Sequence, residues 1–236
     1  MNNTPKSFIL IPGAWMGDWA WHEVVQKLKA QGHRAYSLTL SGVAKNADTA
    51  NISLQTHVDD VVALIHNNDL QNVVIVGHSY SGLVAGLVAD QTPERIKHIV
   101  FVKAFLPHDG RSLIDAFGEE QAKSERKEIA DHDGKWPPPA AENIKSDPSL
   151  SDEQKHYLTE RMVPHPGQTV TQPVAFKRHL SELNATYIDC NMDGQPSSEM
   201  KATCKELNWD YHVLQSGHWP MITVPDALVK RLVSVY

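Results

Sequence analysis

The sequence predicts an α/β domain in which a mostly parallel central sheet is flanked by helices and interrupted once by a small inserted cap. Three observations predict it. Short, wholly apolar runs alternate with amphipathic stretches, as strands buried on both faces and joined by crossover helices require. The most β-branched run leads directly into a turn of small residues and then a helix pattern. The alternation lapses between residues 106 and 176 and afterwards resumes. With 236 residues, 41% of them hydrophobic and 21% charged, the chain can bury a sizeable core in one such domain.

Phe8-Ile9-Leu10-Ile11 is the first strand, closed by Pro12-Gly13. Trp21, Val24, Val25 and Leu28 then fall on one helical face, and Gly32 ends that helix. Ala35–Leu40 reads as the second strand, and Leu54, Val58, Val61, Val62 and Ile65 mark the next helix. Val73–Val76 is the candidate central strand, because β-branched side chains fit a pleated surface. A buried helix over Leu83–Asp90 and a strand over His98–Val102 follow. Such strand–helix alternation implies parallel strands with right-handed crossovers.

From 106 to 176 the chain is polar and charged in its middle, carries Pro137-Pro138-Pro139 and lacks an apolar strand-like run. Short helices and loops are expected there, giving a core of residues 1–105 and 177–236 around a cap of 106–176. The rhythm returns with a strand at Ala185–Cys190, a helix at Ser198–Leu207 and a strand at Tyr211–Leu214. Val224-Pro225-Asp226 opens a last helix, which places Leu228, Leu232 and Val235 on one face.

Chemistry concentrates in Gly77-His78-Ser79-Tyr80-Ser81-Gly82, between the best strand and its helix. A serine on a sharp strand-to-helix turn presents its Oγ away from the backbone, and the turn needs small neighbours. The usual spacing is G-x-S-x-G; here serine occupies the second glycine position and glycine comes one residue later. Serine needs a base, because its hydroxyl is barely ionised at neutral pH. Elbows of this kind take an acid and then a histidine from later in the chain. His218, in Ser216-Gly217-His218-Trp219 after the last strand, is the candidate base, and His212 is placed inside that strand. Asp193, beyond Cys190 and before Gly194, is the candidate acid. Asp189 lies back within its strand, and Asp59 and Asp60 precede the serine and read as solvated helix residues. Oxyanion donors would be the backbone amides of Tyr80 and Ala14. Trp15 and Trp219 are candidate pocket residues, while Trp19 and Trp21 read as packing.

The remaining features narrow the function further. Formal net charge is −6, so nucleic acid and anionic membrane are not expected partners. The 13 histidines include no H-E-x-x-H and no Cys/His cluster with ligand spacing, so no metal is expected. No dinucleotide fingerprint or P-loop follows a strand, and no cofactor is expected. Cys190 and Cys204 are too few for a disulfide framework, and a cytoplasmic location is the expectation. A small-molecule substrate is expected, and a homodimer is compatible with the sequence.

With these residues in hand, the chain resembles the α/β-hydrolase superfamily, and within it the plant methylesterases, hydroxynitrile lyases and similar small bacterial esterases. The likeness rests on Gly13-Ala14-Trp15, Gly17 and Trp19, on Gly77–Tyr80, on Leu106-Pro107, and on Asp193 and Gly217-His218. It implies an α/β-hydrolase fold with Ser79, Asp193 and His218 as triad and the Ala14 and Tyr80 amides as oxyanion hole. Two departures matter. Pro12 stands where the superfamily often has histidine. Gly13 and Trp219 stand where the lyases have threonine and lysine, and without that cation departing cyanide lacks a partner. The expected activity is therefore hydrolysis of a carboxylic ester. Lactone, amide or carbon–carbon cleavage by the same triad, or a non-catalytic receptor for small ligands, are the alternatives.

Overall fold

The computed structural model describes residues 4–235. In chain order β1 (Ser7–Ile11) leads through a 3-10 turn at Asp18–Trp21 to α1 (His22–Ala30), β2 (Arg34–Ser37), α2 (Leu54–Asn67), β3 (Val73–His78), α3 (Ser81–Gln91) and β4 (Ile96–Val102). Next come α4 (Glu119–Asp131), β5 (Lys135–Trp136), α5 (Ala141–Lys145), α6 (Asp152–Arg161), β6 (His165–Pro166) and α7 (Gln168–Thr171). β7 (Ala185–Asn191), α8 (Ser198–Glu206), β8 (Asp210–Gln215), α9 (Pro220–Thr223) and α10 (Pro225–Ser234) complete the chain. Six strands form one parallel sheet in the order β2-β1-β3-β4-β7-β8.

The apolar runs of the sequence become strands because successive side chains serve two cores. Ile9, Ile11, Val73, Ile75, Ile99 and Phe101 join the buried cluster that includes Val58 and Val61 of α2 and Leu83 and Val84 of α3. Phe8, Leu10, Val74, Val76, Val100 and Val102 join the other, with Val24 and Leu28 of α1 and Leu228 and Leu232 of α10. Each fully buried side chain of this size contributes about 1.5–3 kcal/mol. An inner strand that fills both cores must be apolar where it does so, which is why Val73–Val76 of β3 is the plainest strand in the sequence.

Helix starts follow local chemistry. Ser53 Oγ accepts from Thr56 N at the head of α2, and Ser53 N donates to Thr56 Oγ1. Such a reciprocal cap is worth about 1 kcal/mol. Helix α3 is buried almost all round, and its glycines let the chain after β4 cross close by. A Cβ at Gly82 would stand 2.1 Å from the Phe105 carbonyl oxygen, and one at Gly86 would stand 2.6 Å from Pro107.

The structure corrects three sequence expectations. β2 ends at Ser37 rather than Leu40, because Thr39 turns aside to exchange hydrogen bonds with Asp18: its Oγ1 accepts from Asp18 N and donates to Asp18 Oδ1. An edge strand paired only with β1 is easily ended in this way. The segment between β4 and β7 holds a short antiparallel pair, with Trp136 opposite His165, besides the expected helices. Asp60 is not simply solvated: its carboxylate accepts from Ser41 N at 2.7 Å and from Ser41 Oγ at 2.8 Å.

Candidate active site

The ends of β1, β3, β7 and β8 lie at the carboxyl edge of one parallel sheet, where open α/β sheets bind their ligands. Ser79 follows β3 with φ +52°, a conformation that costs a non-glycine residue about 1–3 kcal/mol and persists only when surrounding bonds determine it. Those bonds are present. Ser79 N donates to Val102 O, and its own carbonyl accepts from Gly82 N and Phe105 N. A Cβ at Gly77 would stand 2.3 Å from the Ser81 carbonyl oxygen, so the first glycine of the motif is obligatory. Ser81, in place of the second, is wholly buried and donates its hydroxyl to the Pro12 carbonyl. The departure thus ties the elbow to the loop after β1.

His218 reaches the same point from the loop after β8. Its Nε2 lies 3.2 Å from Ser79 Oγ. The loop tip is held from below by His78, whose Nε2 donates to the His218 carbonyl at 2.8 Å. Burial holds the pKa of His218 down to about 4, the Lys103 ammonium adds to that effect, and the Asp147 carboxylate opposes it. The imidazole is therefore neutral at pH 7 and free to accept a proton.

Asp193 and His218 line one cleft of about 530 Å³ together with Lys103 and Asn191. Asp193 is exposed, and its Oδ1 accepts from Gln195 N at 2.9 Å. A hydrogen bond from His218 Nδ1 to Asp193 is not made among the described residues. Asp189, four residues back in β7, is 2% exposed and committed elsewhere. It accepts from Lys103 Nζ (3.0 Å), Asn191 Nδ2 (2.9 Å), Ser197 N (3.1 Å) and Tyr211 Oη (2.6 Å). Burial pushes its carboxyl upward, but these donors outweigh burial and hold it below the usual carboxylate range.

The loop after β1 comes close to Ser79. A Cβ at Gly13 would stand 2.8 Å from His78 Nδ1 and 3.0 Å from Ser79 Cβ, so glycine is what lets this backbone pass. Ala14 is buried beyond it, and Trp15 adopts φ +66°. Trp15 stacks obliquely on Trp136 with ring centres 4.3 Å apart. Trp219 is 8% exposed and meets His218 edge-on at 5.3 Å, within the core on the α1 side of the sheet.

Behind Tyr80 lies a group the sequence did not disclose. His57 of α2 donates from Nε2 to the Ser41 carbonyl at 2.8 Å, which leaves Nδ1 to accept from Tyr80 Oη, also at 2.8 Å. Burial holds His57 down to about 4, against smaller opposing effects of the Ser41 carbonyl and Asp60. Burial likewise pushes the Tyr80 phenol upward, so both stay neutral. His165 packs on both rings. In sequence, Pro164-His165-Pro166 was the available signal, since a residue before proline is held extended. His57 left no such signal.

A strained serine at a strand–helix elbow, a neutral histidine at hydrogen-bond distance and close-passing backbone define a hydrolase of the nucleophile-elbow class. The chain belongs to the alpha/beta hydrolase family, whose model matches residues 8–231. Among curated proteins it is 28% identical to the carbendazim hydrolyzing esterase of Nocardioides sp., over 97% of this chain and 99% of that one. It is 37% identical to methylesterase 2 of Arabidopsis thaliana over 50% of this chain and 46% of that one. Among solved structures it is similar to an extracellular alpha/beta-hydrolase from a Paenibacillus species, described as sharing structural and functional homology with tobacco salicylic acid binding protein 2. That match has a TM-score of 0.84 and 25% identity over 98% of this chain and 99% of the other. Polyneuridine aldehyde esterase shares the fold, with a TM-score of 0.75, 19% identity and 98% and 99% coverage. No helix among the described residues is long and apolar enough to cross a membrane.

Proposed function

We propose that this chain is a carboxylic ester hydrolase working through an acyl-enzyme on Ser79. The observation that carries the reading is the 3.2 Å contact between Ser79 Oγ and His218 Nε2 on a strained elbow. Ser79 Oγ attacks the ester carbonyl while His218 Nε2 takes its proton. The amides of Ala14 and Tyr80 receive the developing oxyanion. His218 then returns the proton to the departing alkoxide, and a water deprotonated by His218 releases the acid from Ser79. Asp193, which lines the same cleft as His218, is the acid assigned to orient the imidazole. The cap, residues 106–176, shapes the pocket, with Trp15 on its wall. The names of the relatives point to small esters such as methyl esters as substrates. Both cysteines are unpaired and buried, which supports a cytoplasmic location. Ser79→Ala is expected to lower turnover of p-nitrophenyl acetate by several orders of magnitude. A fluorophosphonate probe should label Ser79 in the wild type and not in His218→Ala. Near-normal turnover in Ser79→Ala, or a label on another residue, would overturn the assignment.

A further inference from the structure

Among the buried groups that the mechanism leaves unused is a histidine beside the loop after β1. His165, in β6 of the cap, is wholly buried. Its Nδ1 accepts the Trp15 backbone N–H at 3.3 Å, so the ring proton sits on Nε2, and that nitrogen is buried without a hydrogen-bond partner among the described residues. An unpaired buried N–H opposes folding, and an apolar side chain would fill the space without that penalty. What the imidazole supplies that an apolar group cannot is the acceptor for Trp15.

Trp15 needs such a partner because its backbone is in the left-handed region. Two further bonds from the cap fix the same residue: Val163 N donates to the Trp15 carbonyl at 3.0 Å, and Trp15 Nε1 donates to the Trp136 carbonyl at 3.1 Å. The Trp15 amide nitrogen belongs to the peptide that follows Ala14, one of the two expected oxyanion donors. The other donor belongs to Tyr80, and the His165 ring meets the Tyr80 ring edge-on with centres 4.7 Å apart. One side chain therefore contacts a neighbour of each expected donor, the peptide after Ala14 and the ring of Tyr80, which come from different loops.

We propose that His165 is a positioning residue that sets the Ala14 and Tyr80 amides at their working separation. The inference rests on the serine-esterase reading. An oxyanion hole works only when its donors lie about 2.7–3.1 Å from the developing charge, and losing one donor costs about 10²–10³ in kcat. Misplacing the Ala14 peptide should forfeit part of that, and should do so in the transition state rather than in substrate binding.

The test compares three variants of the full chain, with p-nitrophenyl acetate kinetics and the rate of fluorophosphonate labelling at Ser79. His165→Leu removes the acceptor and should lower kcat by roughly 10–100-fold with KM nearly unchanged, and should slow labelling in parallel. His165→Asn places its carbonyl oxygen where Nδ1 was and should recover most of the kcat. His165→Gln carries its oxygen one bond farther and should not. Should His165→Leu fail to fold, the Asn and Gln variants decide alone. A kcat for His165→Leu close to wild type, or equal losses for Asn and Gln in folded proteins, would overturn the proposal. Absence of Ser79 labelling in the wild type would instead overturn the esterase reading beneath it.

Discussion

Tyr80→Phe removes one oxygen from a wholly buried site and leaves every apolar contact of the ring in place. The phenol is 1% exposed, and its hydrogen bond to His57 Nδ1 is 2.8 Å long. After the change, His57 Nε2 still donates to the Ser41 carbonyl, so the imidazole cannot turn to satisfy Nδ1. A buried acceptor left unpaired costs about 1–3 kcal/mol. For a domain of this size each kcal/mol lowers Tm by about 2–4 °C, so a fall of roughly 2–12 °C is expected. His57→Leu should cost a similar amount, since it strands the Ser41 carbonyl and leaves the phenol only Thr169 as a partner. The double variant still strands the Ser41 carbonyl but removes both ends of the Tyr80–His57 bond, and it should be less destabilised than the sum of the singles, by about 1 kcal/mol. Thermal unfolding followed by circular dichroism, with urea titration to obtain free energies, measures all four corners. A Tm for Tyr80→Phe within a degree of wild type, or strict additivity in the double variant, would refute the argument that this bond joins α2 to the nucleophile turn.

Two further outcomes follow from the site. On the proposed mechanism only neutral His218 can take the Ser79 proton, and burial holds its pKa down to about 4. kcat/KM should therefore stay level as pH falls from 8 to about 5 and drop about tenfold per unit below about 4. An acid limb centred near 6.5 in initial-rate measurements would refute burial as the control on the His218 base. Asp189→Asn removes the charge that Lys103 faces and disturbs four hydrogen bonds. Breaking a fully buried pair costs about 3–5 kcal/mol, but the Lys103 side chain is 33% exposed and can turn to water, so about 2 kcal/mol is expected. The corresponding fall in Tm is about 4–8 °C, and an unchanged Tm would show that the network contributes little.

Much of this was legible beforehand because strands that fill two cores have no freedom in composition. Val73–Val76 had to be apolar at every position, and the small residues around Ser79 had to let three backbones meet. His218 was legible for the same reason as Ser79: it lies just past a strand end, in a loop whose order in the chain is fixed by the fold. The cap was not legible in detail. Trp136 and His165 belong to two-residue strands, too short for any period to show. His57 lies on the buried face of α2, where an apolar residue would satisfy the same pattern, so only its partner Tyr80 reveals its role. Asp60 looked solvated because Ser41, which it holds, is 19 residues away in sequence.

The bond between Ser79 and His218 joins residues 139 positions apart. During synthesis Ser79 emerges with its strand and helix well before His218 has been made. On the proposed mechanism, until the loop after β8 docks the serine is an ordinary alcohol in a growing chain, harmless to the esters around it. On that mechanism catalytic competence waits for the loop after β8, so turnover reports on the docking of that loop more strictly than any spectroscopic signal of helix or sheet. A chain stopped short of β8 could hold much of the sheet and still show no activity.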